Sequence, residues 1–398
     1  MQSTAIIIST SYTTGGGVFA ENVFIQPEEL WSAYLDCRKR KRHTEGFAKF
    51  ESNFPLNFEN LLESLNNNTY SPTTSTCFVV NKPKPREVFA ADFGDRIVHH
   101  LIYNRLNPYF ERIFIYDSYA CRKNKGNLRA VDRVQHFMRS ISNNGKEKAY
   151  YLQCDIKSFF MSIDKNILWG ILNKQLPKAL KYESHEFIEK FRNLLRINLF
   201  HNPTKNYINK SSFKKWKCVP EDKTLFNSND FKGIPIGNLT SQFFANVYLN
   251  ELDKFVKHTL KVKYYIRYVD DFIMMSKDKN ELWKLFRMIE EFLNEKLHLK
   301  MKKHPKLALL SSGINFVGYV QHIHYRLVRR RVANNFKERL KDFEYDSEDN
   351  LIKLRESINS YFSYFITANG HRELLKIFRN NLWLSEYFMV GKKKVWIY

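Results

Sequence analysis

Apolar residues recur along the chain at two periods, one typical of amphipathic helices and one typical of strands. Residues 95–116 show the helical period, and they predict two helices because Pro108 interrupts the pattern and proline disrupts a helix interior. Further segments with helical spacing predict helices within 27–42, 57–72, 164–200, 237–260 and 280–297.

Short runs of β-branched and aromatic residues predict strands between these helices. Residues 77–91 predict two short strands around a turn rich in Lys and Pro, and residues 150–156 predict another strand. Residues 263–276, KYYIRYVDDFIMMS, contain two strand-like runs on either side of a tight turn, the pattern of a hairpin. Since strands and helices alternate, the predicted fold class is α/β or α+β, with a basic and largely helical C-terminal part.

Composition indicates a folded chain that attracts polyanions. The 398 residues are 43% hydrophobic and 15% aromatic, and 64 Lys and Arg against 41 Asp and Glu give a net charge of +23. Nucleic acid is therefore the leading expected partner. An anionic membrane surface is the weaker alternative, and no membrane contact is expected, because the sequence has no basic amphipathic anchor and no apolar run of about 18 residues.

Cysteine usage and the N-terminal sequence predict a cytoplasmic location. The 5 cysteines are widely spaced and form no CxxC pair, so neither a disulfide framework nor a zinc site is indicated. The first residues contain a short apolar run without a basic segment before it, which is not the pattern of a signal peptide.

Two adjacent carboxylates, Asp270 and Asp271, interrupt the apolar hairpin. Burying ionised aspartate is costly unless another charge compensates it, and a divalent cation such as Mg²⁺ prefers oxygen ligands of this kind. Chemistry with two metal ions needs a further carboxylate, and Asp155 at the end of the 150–156 strand is the candidate. The alternative is that each Asp only marks a turn.

The blocks around these aspartates resemble the reverse transcriptase family. In chain order they are KPKPREVFAADFGDRIVHHLI, SYACRKNKGNLRAV, QCDIKSFFMSID, GIPIGNLTSQFFANVYLNELD, RYVDDF and INFVGY, within residues 80–320. The resemblance implies a right-hand polymerase fold, with a palm built from an RRM-like antiparallel sheet and helices. The implied divisions are an N-terminal extension (1–25), fingers (26–148), a palm (149–325) with an insert (198–231), and a small basic helical thumb (326–398).

The resemblance also implies an activity, a cofactor and partners. The implied enzyme is an RNA-directed DNA polymerase that copies a dedicated noncoding RNA into cDNA from deoxynucleotides. Two Mg²⁺ ions, or Mn²⁺ in their place, would be held by Asp155, Asp270 and Asp271 together with the position of Ile156. Whether an accessory protein or further copies of the chain take part stays open.

The remaining implied site residues fall into three groups. The nucleotide-binding group is Lys84, Arg86, Phe159, Phe160, Ile236, Gly237 and Gln242; the primer grip is Phe316, Val317, Gly318 and Tyr319; and the nucleic-acid-binding group is Arg329, Arg330, Arg331 and Lys337. Phe160 resembles the steric gate that favours deoxynucleotides. Lys300, Lys302 and Lys303 are equal candidates for the lysine that protonates pyrophosphate. Without the resemblance, these positions read as solvated turns, core aromatics, a helix cap and a solvated basic face.

The IGNLTSQ block departs from the QGxxxSP pattern of many retroviral and intron enzymes, with Ile236 in place of Gln and Gln242 in place of Pro. This signature resembles bacterial reverse transcriptases of diversity-generating retroelements and of phage-defence systems. No maturase, endonuclease or RNase H extension is recognised, which disfavours an intron enzyme or a retroviral polyprotein. The alternative from another class is a catalytically silent RNA-binding protein, which the intact aspartates oppose. Residues 202–217 are basic with interleaved aromatics, suited to RNA contact or to a plain surface loop.

Overall fold

The computed structural model shows a protein of mixed α/β class, as predicted. It describes residues 23–39, 41–81, 84–343, 347–391 and 395–397, so most of the predicted N-terminal extension lies outside the described residues.

Helices make up most of the described chain. They are α1 (Pro27–Arg38), α2 (Glu45–Glu51), α3 (Phe54–Asn66), α4 (Phe93–Ile113), α5 (Asn127–Ile141), α6 (Phe159–Ser162), α7 (Lys165–Ala179), α8 (His185–Phe200), α9 (Phe213–Trp216), α10 (Leu239–Lys254), α11 (Lys279–Leu297), α12 (Arg330–Lys341), α13 (Glu348–Thr367), α14 (His371–Arg379) and α15 (Leu384–Tyr387). None of these described helices is both long and apolar enough to span a bilayer.

The strands form small sheets. They are β1 (Ser75–Val80), β2 (Arg86–Ala90), β3 (Tyr150–Asp155), β4 (Tyr207–Asn209), β5 (Tyr265–Tyr268), β6 (Asp271–Ser276), β7 (Lys306–Leu309), β8 (Ile314–Phe316), β9 (Tyr319–Gln321), β10 (Arg326–Val328), β11 (Phe388–Val390) and β12 (Val395–Ile397). The sheet orders are β2-β1-β4, β5-β6-β3-β7, β10-β9-β8 and β11-β12.

The antiparallel sheet β5-β6-β3-β7 is buried on both faces. Leu152 and Phe272 point into a large core shared with α4, α7, α10 and α11. Tyr151 and Ile273, their neighbours along the strands, point into a second core beneath α5 and β8. Because successive side chains of a strand alternate between faces, each strand supplies both cores, and the strand ends are fixed in place.

Helix α4 runs without a break through Pro108, so the prediction of two helices in this segment was wrong. Proline removes one backbone bond and crowds the preceding turn, which usually bends or ends a helix. Here Leu106 and Phe110, on either side of Pro108, are 1% exposed within the large core. Their burial holds the two halves of α4 in one helix.

The insert at 198–231 contributes a strand to the sheet of the predicted fingers. Its strand β4 pairs parallel with β1, with Cys77 opposite Asn209. Glu87 of β2 is 1% exposed and accepts bonds from the Thr224 hydroxyl and the Leu225 backbone N–H. Burial raises the pKa of Glu87. A buried carboxylate therefore ties the far end of the insert to the same sheet.

The C-terminal helices have a core of their own. Phe336 of α12, Ile358 and Phe365 of α13, and Ile377 of α14 are all buried in it. The β11-β12 hairpin joins the same core, and the amide of Asn359 exchanges hydrogen bonds with the backbone of Val395. The helical character expected for this region is therefore present, with a short hairpin added to it.

Candidate active site

The sheet register brings the candidate aspartates together. Asp155 lies directly opposite Asp271 in the β3–β6 pairing. The backbone N–H of Ile156 donates to the carbonyl oxygen of Asp270 at 3.3 Å. Residues more than a hundred positions apart in the sequence therefore meet at one end of the sheet.

The turn that presents Asp270 is held by a buried ion pair. Val269 has a φ of 55°, a left-handed conformation that is costly for a β-branched residue. The Arg267 guanidinium donates to the Val269 carbonyl oxygen at 3.0 Å and to both carboxylate oxygens of Asp253, at 2.8 and 2.6 Å. The sequence interpretation missed both residues, although an Arg inside an apolar strand is a signal that a buried partner must exist.

Both hairpin carboxylates hold protons more tightly than free aspartate does. Burial raises the pKa of Asp271 to about 7, with the charges of Asp155 and Asp270 adding to the effect and a hydrogen bond from Gln153 opposing it. Burial and then the Asp155 charge raise the pKa of Asp270. Burial therefore disfavours the ionised form of both carboxylates in the protein alone.

Lys302 is the lysine that contacts the aspartates. Its ammonium group forms an ion pair with Asp155 Oδ2, and its backbone N–H donates to the Asp155 carbonyl oxygen at 2.9 Å. Of the three candidate lysines, Lys300 meets this strand end through its carbonyl oxygen, which accepts from the Lys157 N–H at 2.8 Å. The structure thus singles out Lys302 as the side chain next to the carboxylates.

Charged groups from several parts of the chain lie close enough to Lys84 to affect its pKa. Burial lowers the pKa of Lys84, and the positive charges of Lys302, Lys223 and Arg331 lower it further, while Asp155 opposes the effect. Lys84 and these cations come from the β1–β2 turn, the insert, the segment before β7 and the start of α12. A group of cations beside Asp155 suits a ligand that carries several phosphates.

The donor set at the strand ends fits a divalent cation. No group of three or more His, Cys, Asp or Glu side chains among the described residues forms an assembled metal site. However, Asp155 Oδ1 is buried and has no hydrogen-bond partner within the described part of the chain. An unpartnered carboxylate oxygen beside two carboxylates of raised pKa is the arrangement that a bound cation stabilises.

The predicted nucleotide-binding residues differ in their exposure and in their surroundings. Phe159 is 2% exposed in the large core, whereas Phe160 is half-buried beside Ile236 and Phe89. Gly237 has a φ of 125°, and a Cβ there would lie 2.6 Å from the Phe89 carbonyl oxygen. The close approach that requires glycine is therefore to the backbone of β2. Gln242 is exposed on the first turn of α10.

The predicted primer grip is the turn of the β8–β9 hairpin. Val317 and Gly318 have φ values of 40° and 93°. The Gly318 carbonyl oxygen accepts from the Arg329 N–H at 3.0 Å, and a Cβ on Gly318 would lie 2.6 Å from the Tyr364 ring. The hairpin residues Phe316 and Tyr319 are buried.

The predicted nucleic-acid-binding residues lie on or beside α12. Arg329, Arg330 and Arg331 are exposed at its beginning. Lys337 is also exposed, and its ammonium group lies 3.7 Å from a carboxylate oxygen of Glu373 on α14. The arginines are therefore better placed than Lys337 to meet an external anion.

The chain belongs to the reverse transcriptase family. Residues 80–321, more than half of the chain, match the family described as reverse transcriptase (RNA-dependent DNA polymerase). This match covers both strands that carry the aspartates, the β8–β9 turn, and Lys84, Lys223 and Lys302.

Two of its curated relatives are intron-encoded. The group II intron-encoded protein LtrA of Lactococcus lactis subsp. cremoris is 26% identical over 207 residues, and an uncharacterized 91 kDa protein in the cob intron of Schizosaccharomyces pombe is 22% identical over 202 residues. These alignments cover 51% and 50% of this chain but only 28% and 21% of the relatives. The chain thus matches less than a third of the length of either protein.

Solved structures with some similarity include two telomerases. Telomerase from Candida albicans in complex with a TWJ fragment of telomeric RNA has a TM-score of 0.44 at 11% identity, covering 78% of this chain and 55% of that one. Apo telomerase from Candida tropicalis has a TM-score of 0.46 at 13% identity, covering 77% of this chain and 58% of that one. Similarity of this degree carries no argument about function.

Proposed function

We propose that this protein is an RNA-directed DNA polymerase that extends a primer 3′-hydroxyl with deoxynucleotides on an RNA template. The observation that carries the proposal is the β3–β6 register, which sets Asp155 opposite Asp271 and beside Asp270. The family match supports the same reaction. Asp155, Asp270 and Asp271, with the backbone at Ile156, are the proposed holders of two divalent cations, Mg²⁺ or Mn²⁺.

Bound cations would lower the pKa of the primer hydroxyl and offset the charge that develops on the α-phosphate. The chain's own residues supply position and charge around them. Lys84 and Arg86 bind the triphosphate. The negative charge of the triphosphate offsets the repulsion between Lys84 and the cations near it. Phe160, in the short helix α6 that follows the strand carrying Asp155, excludes a ribose 2′-hydroxyl by its bulk.

Lys302 is the proposed proton donor to the departing pyrophosphate. Its ammonium nitrogen already contacts Asp155, so it lies within reach of a phosphate bound over the carboxylates. General acid catalysis requires the donor to be within hydrogen-bond distance of the leaving oxygen. Lys302 meets that geometric condition better than Lys300 or Lys303.

Primer extension on an RNA template with Mg²⁺ tests the proposal with Asp270→Asn against the parent. Asparagine has the shape of aspartate. Burial raises the pKa of Asp270, so its ionised form is already disfavoured, and the fold is expected to stay intact when the charge is removed. The variant should lose at least a thousandfold in extension rate, while the control Asp36→Asn on α1 keeps the parent's rate. Equal rates for the parent and Asp270→Asn would refute the metal site, and an inactive parent that binds RNA would favour the silent RNA-binding protein.

The proposed template is a dedicated noncoding RNA, in a bacterial diversity-generating or phage-defence system. The support is the IGNLTSQ block, in which Ile236 and Gln242 stand where intron enzymes carry Gln and Pro. Sequencing the cDNA made from the cognate RNA separates the two settings. Substitutions concentrated opposite template adenines indicate the diversity-generating role, whereas repetitive or untemplated cDNA indicates defence.

A further inference from the structure

The insert presents a run of lysines with few acidic partners. The charged residues of segment 205–217 are all lysines: Lys205, Lys210, Lys214, Lys215 and Lys217. Lys205 pairs with Asp230, and Lys210 pairs with Glu45. The other three are exposed, and none of them forms an ion pair with a described residue. Their charge is available to an external anion.

Exposed apolar side chains lie among these lysines. Phe213 is 74% exposed, Ile208 57% and Tyr207 39%. The Lys217 ammonium group lies 4.9 Å from the centre of the Phe213 ring. Ile208 follows Tyr207 in β4 and therefore points to the opposite face of the sheet. We call the surface formed by Tyr207, Phe213, Lys214, Lys215 and Lys217 the insert face. Aromatic rings mixed with cations can stack on bases and contact phosphates at the same time.

The insert face rests on a rigid support. The Tyr207 ring packs against the Phe226 ring at 5.3 Å, and both lie about 6 Å from the Phe89 ring of β2, at 6.1 and 5.9 Å. The Ser211 hydroxyl accepts from the Val79 N–H at 2.9 Å, and the Lys210 N–H donates to the Cys77 carbonyl oxygen at 2.8 Å. A ligand would therefore meet a surface that is already ordered, which lowers the entropic cost of binding.

The insert also reaches the proposed active site. Asp222 accepts a hydrogen bond from Ser158 at 2.6 Å, two residues before Phe160, and Lys223 is one of the cations whose charge lowers the pKa of Lys84. At the other end, Val79 lies beside the lysine run and opposite Glu87, the residue after Arg86. The insert face is thus continuous with the elements that border the proposed nucleotide pocket.

We propose that the insert face binds the unpaired template strand next to the active site. This inference rests on the proposed function, which makes that strand RNA. Bases in a duplex stack on each other and hide their faces, whereas unpaired bases offer them to a ring such as Phe213. A protein partner is disfavoured because the face carries uncompensated lysines around its apolar groups, and a buried unpaired charge is costly at a protein interface.

Binding of two primer–templates tests the proposal. Both have the same duplex, one with an unpaired template overhang of about twelve nucleotides and one with an overhang of about two. The parent is compared with Lys214→Ser/Lys215→Ser/Lys217→Ser and with Phe213→Ala. The matched control replaces three exposed lysines of the α7 region, Lys174, Lys178 and Lys181, by Ser, which removes the same charge elsewhere.

The parent should bind the long overhang about tenfold or more tightly than the short one. The triple insert variant and Phe213→Ala should lose most of that advantage and bind the short overhang like the parent. Each phosphate neutralised on a single strand contributes roughly 0.7 to the salt slope, so the triple variant should lower the slope for the long overhang by about 2. A DNA overhang should behave alike, because stacking and phosphate contact do not need the 2′-hydroxyl.

Three results would overturn the inference. They are no overhang advantage in the parent, an advantage that survives the insert substitutions, and an equal loss in the α7 control. If the parent binds overhangs but extends no primer, the proposed function is contradicted. The comparison of overhang binding between the parent and the variants still tests the present inference. Extension on the short-overhang template should be unchanged in the triple insert variant, which separates template contact from catalysis.

Discussion

Arg267 and Asp253 form an ion pair in which both side chains are fully buried, and the same guanidinium holds the turn that carries Asp270. Asp253 also accepts from the Tyr265 hydroxyl at 2.8 Å, and Arg267 donates to Ser118 at 3.1 Å. Arg267 also donates to the side-chain oxygen of Asn246 at 3.3 Å, so each N–H group of the guanidinium has an acceptor. The pair links α10, the strand before the aspartates and the loop at Ser118 into one support for the site.

Replacing Arg267 by Met should cost about 3–5 kcal/mol of unfolding free energy, because Asp253 would be left as an uncompensated buried charge. Arg267→Met/Asp253→Leu should recover much of that stability, since both charges are then absent. Primer extension should stay low in both variants because the Val269 carbonyl oxygen has lost its donor. Chemical unfolding and extension rates check the two parts separately, and an active double variant would contradict the positioning role.

Lys302→Ala should slow nucleotide incorporation by about 100-fold, the lower range for loss of a general acid. The same substitution frees Asp155 Oδ2, so the Mg²⁺ concentration for half-maximal rate should not rise. Single-turnover incorporation over a range of Mg²⁺ concentrations measures both quantities. The neighbouring Lys303→Ala is the control and should match the parent. A raised Mg²⁺ requirement in Lys302→Ala would show that the lysine supports the carboxylates instead.

Phe160→Ala should let ribonucleotides compete with deoxynucleotides. Removing the ring opens space for a 2′-hydroxyl, so the ratio of kcat/KM for the two nucleotide types should shift towards ribonucleotides by about tenfold or more. The ratio is insensitive to a general loss of folded enzyme, because both substrates are measured on the same preparation. An unchanged ratio would leave Phe160 as a packing residue next to Ile236 and Phe89.

Gly237→Ala should destabilise the junction between β2 and α10 by roughly 2–4 kcal/mol. The new Cβ would meet the Phe89 carbonyl oxygen at 2.6 Å and the Val88 side chain at 2.8 Å, in a backbone conformation that alanine rarely adopts. Gly170→Ala on α7 is the matched control, because nothing lies within 4 Å of its added Cβ. In that helix, alanine should stabilise by about 0.5–1 kcal/mol. Thermal unfolding of the two variants gives the comparison.

His99, a buried residue of α4 whose Nδ1 has no partner among the described residues, should lower stability in mild acid, whereas Asp271, whose pKa burial raises to about 7, contributes in the opposite direction. Burial lowers the pKa of His99 to about 3, with the charges of His100, Arg96 and His201 adding to the effect. Between pH 6.5 and 3 the unfolded chain binds a proton at this position and the folded chain does not. His99 therefore removes roughly 1.4 kcal/mol of stability per pH unit in that window.

His99→Phe should remove this contribution, so that between pH 6.5 and 5 the free energy of unfolding increases, relative to the parent, by about 1.4 kcal/mol for each pH unit of acidification. The exposed His185→Gln should leave the profile as in the parent. Denaturant unfolding at several pH values measures the slopes. Equal slopes for the parent and His99→Phe would show that His99 does not contribute to the pH dependence of stability.

The central sheet and its hairpin could be predicted because strands buried on both faces are short continuous runs of apolar and β-forming residues, a pattern that is visible in the sequence. The meeting of Asp155 with Asp270 and Asp271 followed from that pairing. Strand β4 could not be predicted, because all of its residues are exposed and show no alternation. The continuity of α4 was also hidden, since burial of Leu106 and Phe110 is decided by distant helices.

The support beneath the site was missed for a related reason. Asp253 lies on a helix and Arg267 on a strand, so no local period connects them. Neither hairpin periodicity nor the DD dipeptide indicates which helix supplies the acid. The choice of Lys302 over Lys300 and Lys303 likewise depends on which side chain points towards Asp155. The path of the backbone after α11 determines this, and the sequence does not show that path.

The contact between Gly318 and Tyr364 couples two lobes mechanically. The Tyr364 ring of α13 packs against Gly318 at the tip of the β8–β9 hairpin, and the Arg329 backbone N–H donates to the Gly318 carbonyl oxygen. The hairpin tip and the C-terminal helices are therefore expected to move together. A rigid-body rotation of those helices would also move the predicted primer grip and the primer end bound to it. Substitutions at Tyr364 should therefore alter how many nucleotides are added per binding event, even though the side chain packs against protein.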